Sequence, residues 1–255
     1  MIVTAVTAQL FATNCYVVAA GPGHECLVVD PGVGIGPALA EVLRREGLRP
    51  VAVLLTHGHL DHVFGVTEVP GVAEAPGVAE VPGVAELPGG PEVFVHEADR
   101  SRLADPWAGF DPWLRQLLAQ QSGLSTSWTE PPRTLSLRDG EVVARAGLRV
   151  EVHHAPGHTE GSALFRVSGV PDREPVGVDD LAGLSATVFS GDVLFAGSVG
   201  RTDLPGGDGA AMRRSLQDVV LALPDPTLVL PGHGPATTVA RERATNPYLV
   251  DLAVG

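Results

Sequence analysis

The chain has 255 residues, 44% of them hydrophobic and 18% charged, a balance that supports a folded core and excludes an extended disordered chain. Its 30 acids against 17 bases give a formal charge of -13, which excludes a basic nucleic-acid surface and an electrostatic dock on anionic lipid. All 17 bases are Arg, so Schiff-base or nucleophilic Lys chemistry is excluded as well.

The first 30 residues read as three short strands. Two are the runs 15–18 and 26–29, joined by a hairpin connection at Gly21-Pro22-Gly23. Their cysteines, Cys15 and Cys26, are too few for a zinc cluster or a disulfide framework and are expected as buried thiols. No apolar run approaches the roughly 18 residues of a membrane span, and the N-terminus has no basic leader segment. A cytoplasmic enzyme is the expectation. Ile35, Ala38, Leu39, Val42 and Leu43 fall on one face of a helix that Gly47 ends. Residues 51–55 are continuously apolar, the pattern of a strand covered on both faces. The segment 66–91 contains a repeat, PGVAEA, PGVAEV and PGVAEL, with Pro70, Pro76, Pro82 and Pro88 six apart. Gly and Pro in every unit forbid a helix, and three units cannot build a solenoid core. An exposed loop inserted before the strand 92–95 is expected. A short helix over 111–121 follows, then strands at 141–145, 148–152 and 163–167, and a Gly/Pro/Asp-rich surface loop at 168–186. Residues 187–190 and 228–230 read as strands. Between them Met212, Leu216, Val219, Val220 and Leu223 mark a helix with Asp208 as N-cap. Strands and helices alternate through both halves, which predicts two packed sheets with helices outside, in one domain over 1–255.

Chemistry concentrates at strand ends. His57, His59, Asp61 and His62 lie in THGHLDH directly after the strand 51–55, and His158 lies in APGHT. Asp192 follows the strand 187–190, and His233 follows 228–230 in PGHG. Imidazole and carboxylate are the donors that borderline divalent cations prefer. So many ionisable groups are costly to bury without a cation. Seven donors exceed the needs of one tetrahedral ion and suit two. His24, His96, His153 and His154 read as structural. Ser162 has no free base and is not a nucleophile candidate.

The pattern HxHxDH, then His, Asp and His, resembles the metallo-β-lactamase superfamily, with all seven positions matched. The resemblance implies an αββα four-layer sandwich, with two mixed sheets flanked by helices. It implies one metal on His57, His59 and His158, a second on Asp61, His62 and His233, and Asp192 bridging them. Two divalent ions are implied, zinc first, with iron or manganese as alternatives. An acid is usual at position 59 in the flavodiiron branch, so His59 points to hydrolysis. Residues 191–207, GDVLFAGSVGRTDLPGG, resemble glyoxalase II-like hydroxyacylglutathione hydrolases. That likeness implies thioester hydrolysis by a metal-bridging hydroxide, with Asp61 as a possible proton acceptor and Arg201 holding a carboxylate of a low-molecular-weight thiol carrier. An ion pair of Arg201 with Asp203 is the alternative for that side chain. The chain ends 22 residues after His233, so it resembles short single-domain members that end in an Asn-Pro segment, here Asn246-Pro247. The carrier, glutathione or another thiol such as mycothiol, stays open, as does the oligomeric state. A mononuclear iron persulfide dioxygenase using His57, His158 and Asp192 is the alternative enzyme. A metal-binding scaffold without turnover is the non-catalytic one. The expected partner is a small-molecule thioester, with no nucleic acid and no membrane.

Overall fold

The computed structural model describes residues 1–72, 89–108, 111–122, 127–173 and 175–253. Most of the PGVAEx repeat therefore lies outside the described residues.

The chain opens on an antiparallel meander, β1 (Ile2–Thr7), β2 (Asn14–Ala19) and β3 (Glu25–Val29). Helix α1 (Gly36–Glu46) ends at Gly47, whose φ of 65° is the left-handed cap that the sequence placed there. It returns the chain to β4 (Arg49–Leu55), parallel to β3. After the short α2 (Leu60–Val63) come β5 (Glu92–His96) and β6 (Thr134–Leu137), both parallel to their neighbours. Helices α3 (Arg100–Ala104) and α4 (Pro112–Ser122) lie between them in sequence. The first sheet runs β1-β2-β3-β4-β5-β6.

The second half forms the second sheet. It contains β7 (Val142–Arg145), β8 (Leu148–His154), β9 (Ala163–Ser168), β10 (Ala186–Gly191), β13 (Thr227–Pro231) and β14 (Thr237–Thr238), in the order β14-β13-β10-β9-β8-β7. Among the described residues of this sheet, only β10 and β13 pair in parallel. A small hairpin, β11 (Leu194–Phe195) with β12 (Ser198–Val199), follows β10. Helices α5 (Gly209–Ser215), α6 (Val239–Thr245) and α7 (Pro247–Ala253) complete the chain. Asp208 caps α5 as expected, accepting from the Ala210 and Ala211 amides.

The side chains show why the layers stack. Along β2, Cys15 and Val17 point to one core and Tyr16 and Val18 to another. Residues on β4 alternate in the same way. Alternation with both faces apolar means that the sheet is covered on both sides. The inner core joins Tyr16, Val18, Leu27 and Leu54 of the first sheet to Val152, Phe165, Phe189 and Leu228 of the second. Helix α1 covers the outer face of the first sheet through Leu39 and Leu43. The outer face of the second packs Leu164, Val188 and Val229 against Met212, Leu216 and Leu249. Both cysteines are buried and unpaired, as expected, and burial raises the Cys26 thiol to a pKa of about 12.

Two expectations need correction. Residues 66–72 do not belong to the exposed loop expected over 66–91. Instead a 3-10 turn over Phe64–Glu68 leads into them, and Val66, Val69 and Val72 are buried. Their spacing of three matches the 3.0-residue turn, which lines them on one face. The helix expected through Leu223 is regular only to Ser215 and continues as a π-helical turn over Leu216–Val220.

Candidate metal centre

The donors meet at one edge of the sandwich. Four of them, His57, His59, Asp61 and His62, lie beyond the C-terminal end of β4 and in α2. His158 sits in the β8–β9 connection, while Asp192 and His233 follow the parallel strands β10 and β13. The Ala163 amide donates to the Thr56 carbonyl at 2.8 Å and so fastens the two sheet edges together beside the donors.

Three of the imidazoles, those of His57, His158 and His62, are oriented by their other nitrogen. The Thr56 hydroxyl donates to Asp30 Oδ2 at 2.7 Å, so it accepts from His57 Nδ1 at 3.1 Å. That leaves the lone pair on His57 Nε2, a buried atom without a hydrogen-bond partner. His158 Nδ1 donates to the Arg201 carbonyl at 2.8 Å, which turns its Nε2 into the cleft, 2.8 Å from His59 Nδ1. His62 Nδ1 lies 3.0 Å from Asp30 Oδ2, and its Nε2 faces His233 Nε2 at 3.3 Å.

Three groups of donors result: His57, His59 and His158; Asp61, His62 and His233; and His57, His62 and Asp192. Asp61 Oδ2 stands 3.2 Å from His233 Nε2 and 3.5 Å from His62 Nε2. Asp192 presents Oδ1 to His62 at 3.4 Å and Oδ2 to His158 and His233, each at 3.5 Å. Donors about 2.0–2.1 Å from a tetrahedral ion stand about 3.3 Å apart. The observed spacings match that edge, and the orphaned His57 Nε2 and the buried Asp192 Oδ1 point into the same space. The residues fit divalent metal ions, and Asp192 lies between the group of His57, His59 and His158 and the group of Asp61, His62 and His233.

The electrostatics agree. Burial, then the neighbouring imidazoles, holds His57 well below the usual histidine range. Burial and the adjacent His158 bring His59 to about 3. Burial works against a charge on His62, yet Asp61, Asp192 and Asp30 outweigh it and raise its pKa. Burial likewise opposes ionisation of Asp61, but His62 and His233 hold that carboxyl below its ordinary value. The surroundings thus favour the neutral imidazole at His57 and His59 and a positive charge at His62, among the carboxylates.

Tight turns make the convergence possible. Gly232 allows His233 to approach, because a Cβ there would strike Asp192 Oδ1 and the His62 ring. Gly191 turns the chain into Asp192 at a φ of 48°.

Arg201 is not among the converging side chains. Its guanidinium makes a two-pronged pair with Asp203, at 2.7 and 2.8 Å, and both side chains are exposed. Its backbone carbonyl, in contrast, orients His158.

Sequence reasoning missed three residues. Asp30 anchors Thr56 and His62. Asp99 is fully buried and accepts from the Gly58 amide at 2.7 Å, the Thr159 hydroxyl at 2.7 Å and the Gly161 amide at 2.8 Å. It therefore joins the loop of His57 and His59 to the loop of His158. Asn14 fixes the His233 turn by donating to the Pro231 and Gly234 carbonyls. The available signal was a polar residue at the end of an apolar run. Of the other histidines, His96 and His154 stack with ring centroids 3.9 Å apart and take no part in the centre.

Comparison with known proteins places this arrangement. The metallo-beta-lactamase superfamily model matches residues 8–170. A structure described as BLEG-1 B3 metallo-beta-lactamase is 30% identical, covers 97% of this chain and 99% of its own, and superposes with a TM-score of 0.70. TTHA1623 in a di-iron-bound form is 34% identical, covers 96% of this chain and 100% of its own, and gives a TM-score of 0.65. Hydroxyacylglutathione hydrolase GloC of Haemophilus influenzae is 28% identical over 94% of this chain and 93% of its own. The four layers, the seven converging donors and these matches agree: the chain belongs to the metallo-β-lactamase superfamily.

Proposed function

We propose that this protein is a metal-dependent hydrolase of thioesters of a low-molecular-weight thiol. The observation that carries the reading is the pair of three-donor groups on either side of Asp192, whose Oδ2 lies 3.5 Å from His158 of one group and 3.5 Å from His233 of the other, with Oδ1 3.4 Å from His62. The relative named hydroxyacylglutathione hydrolase and the resemblance of residues 191–207 support the thioester bond. The di-iron form of a relative supports a two-metal reading, and zinc, iron and manganese all suit these donors.

In this reading His57, His59 and His158 would hold one divalent ion and Asp61, His62 and His233 a second, with Asp192 beside both groups. Bound there, such ions would supply a lowered pKa for a coordinated water and polarisation of a carbonyl oxygen. The chain's residues do the rest. Asp61 uses Oδ2 toward His62 and His233, and Oδ1 is the atom assigned to take up the proton of the attacking water. Water adds to the acyl carbon, the C–S bond breaks, and the sulfur leaves with the electron pair. The seven donors leave no imidazole free as a general acid, and a thiolate leaves without one. Arg201 exchanges its exposed Asp203 partner for a carboxylate of the thiol carrier, since the guanidinium fork fits either equally well.

The test is metal content and turnover of S-lactoylglutathione, with His233→Ala and Arg201→Ala beside the parent. The reading expects close to two ions per chain. It expects at least a tenfold loss of metal affinity or activity in His233→Ala, since even changes outside the ligand set typically cost that much. In Arg201→Ala, kcat/KM should fall about tenfold for a carboxylated thioester and change little for an uncharged one. One iron per chain with persulfide-dependent oxygen uptake would install the dioxygenase instead. Turnover of a β-lactam alone would install a lactamase.

A further inference from the structure

Beside the donors the cleft deepens into a recess of about 150 Å³. Its walls are largely apolar, formed by Phe11, Leu60, Pro106, Ala108 and Leu204. His59 and Asp61 open onto it, so a group bonded to a carbonyl at the metal centre reaches it directly. An apolar cavity of about this volume holds a benzene molecule.

The turn that carries Phe11 gives a second, independent observation. Phe11 and Ala12 both adopt left-handed backbone, at φ of 63° and 56°, in a turn closed by the Ala8 amide donating to the Thr13 carbonyl at 2.8 Å. Neither residue is glycine, so the conformation is costly. It holds an aromatic ring 45% exposed at the mouth of the recess, where folding alone gains little from it.

Charge in the recess narrows the ligand. Arg102 donates to Glu160 at 2.7 Å and to the Pro205 carbonyl at 2.9 Å, and its Nε lies 3.4 Å from Asp99. Its charge is thus already met by two carboxylates. Asp105 lines the wall and is exposed, with Oδ1 accepting from the Trp107 amide. The recess therefore offers a negative charge and no unpaired cation among the described residues. It disfavours a carboxylate.

We propose that this recess is the acyl subsite, and that it selects an uncharged, apolar acyl group of phenyl or branched-chain size over a carboxylated one. The assignment rests on the thioester reading above. A tripeptide-sized thiol carrier is much larger than the recess, which leaves the acyl side as its occupant.

The experiment uses metal-loaded full-length protein and three N-acetylcysteamine thioesters, acetyl, phenylacetyl and succinyl, with Ala108→Trp as the filling variant. Ala108 is exposed, so the larger side chain needs no room in the core. The expected kcat/KM for phenylacetyl exceeds that for acetyl by at least about tenfold, the lower end of what apolar pockets discriminate, and succinyl is the poorest. Ala108→Trp should reduce the phenylacetyl-to-acetyl ratio about tenfold. A flat ratio in the parent, or an unchanged ratio in the variant, overturns the subsite while leaving thioester hydrolysis standing. If no thioester is cleaved, that reading falls and calorimetric binding of phenylacetone decides the recess. Saturable binding weakened at least tenfold in Ala108→Trp upholds an apolar subsite, and absence of binding overturns it.

Discussion

Asp99 shows how one carboxylate can govern a centre from which it is itself absent. Its two oxygens take three donors from two loops, Gly58 between His57 and His59, and Thr159 and Gly161 beyond His158. Asp99→Asn keeps the shape but turns an amide N–H2 toward one set of those donors. A buried donor left facing a donor costs about 1–3 kcal/mol. Loops that fix ligands also matter to the metal, typically by 10–100-fold in affinity. The expected result is a lower midpoint in a thermal melt together with about tenfold weaker metal binding by chelator competition. Loss of stability with unchanged metal affinity would make Asp99 a purely structural residue. The seven donors themselves were legible because their types and spacing repeat at strand ends. Asp99 was not, because its partners Gly58 and Thr159 lie 41 and 60 residues away in sequence. Asn14 was not legible either, because only the tertiary fold places its amide under the His233 turn.

The elements were legible wherever burial imposes a period. The continuous apolar runs of β2 and β4 reflect cores on both faces of the sheet, and the amphipathic stripe of α1 reflects a core on one side. Short pieces were less legible. The hairpin β11–β12 has two residues on each side, and what holds it lies elsewhere in sequence. Buried Glu242 accepts from the Gly197 amide at 2.8 Å, and Asn246 donates to the Ser198 carbonyl at 3.1 Å. The Asn-Pro segment thus pins the stretch that follows Asp192. The flanks of the repeat are also informative. Gly71 and Gly90 approach so closely that a Cβ on Gly90 would meet the Gly71 carbonyl oxygen. Chain ends already in contact need only a short closure, and loop length changes closure entropy by about 0.6 kcal/mol per doubling. Replacing residues 73–88 by a short Gly-Ser link should therefore shift the thermal midpoint by no more than a few degrees and leave turnover near that of the parent. A several-fold rise in KM with unchanged kcat would instead show that the repeat covers the cleft.

At the scale of the whole molecule, the centre joins the two sheets. The first sheet supplies His57, His59, Asp61 and His62, and the second supplies His158, Asp192 and His233. Each three-donor group takes two residues from the first and one from the second. An ion in either group therefore bridges the sandwich at its open edge, opposite sides of which meet elsewhere through the apolar inner core. Binding to the folded chain alone stabilises it by about 2.7 kcal/mol at a hundredfold excess over Kd. For a domain of this size each kcal/mol moves the midpoint by about 2–4 °C. Removal of metal by a chelator should lower the midpoint by roughly 5–10 °C, and added zinc should restore it. The proton balance sets the sign of the pH effect. In the metal-free protein Asp61, Asp192 and Asp30 raise the pKa of His62 and so favour its protonated form, whereas a ligand must be neutral. Metal uptake near pH 7 should therefore release about one proton per chain, measured by calorimetry in buffers of different ionisation enthalpy, and affinity should fall as the pH is lowered. A midpoint indifferent to chelator, with no proton released, would mean that the histidine loops hold their positions without an ion.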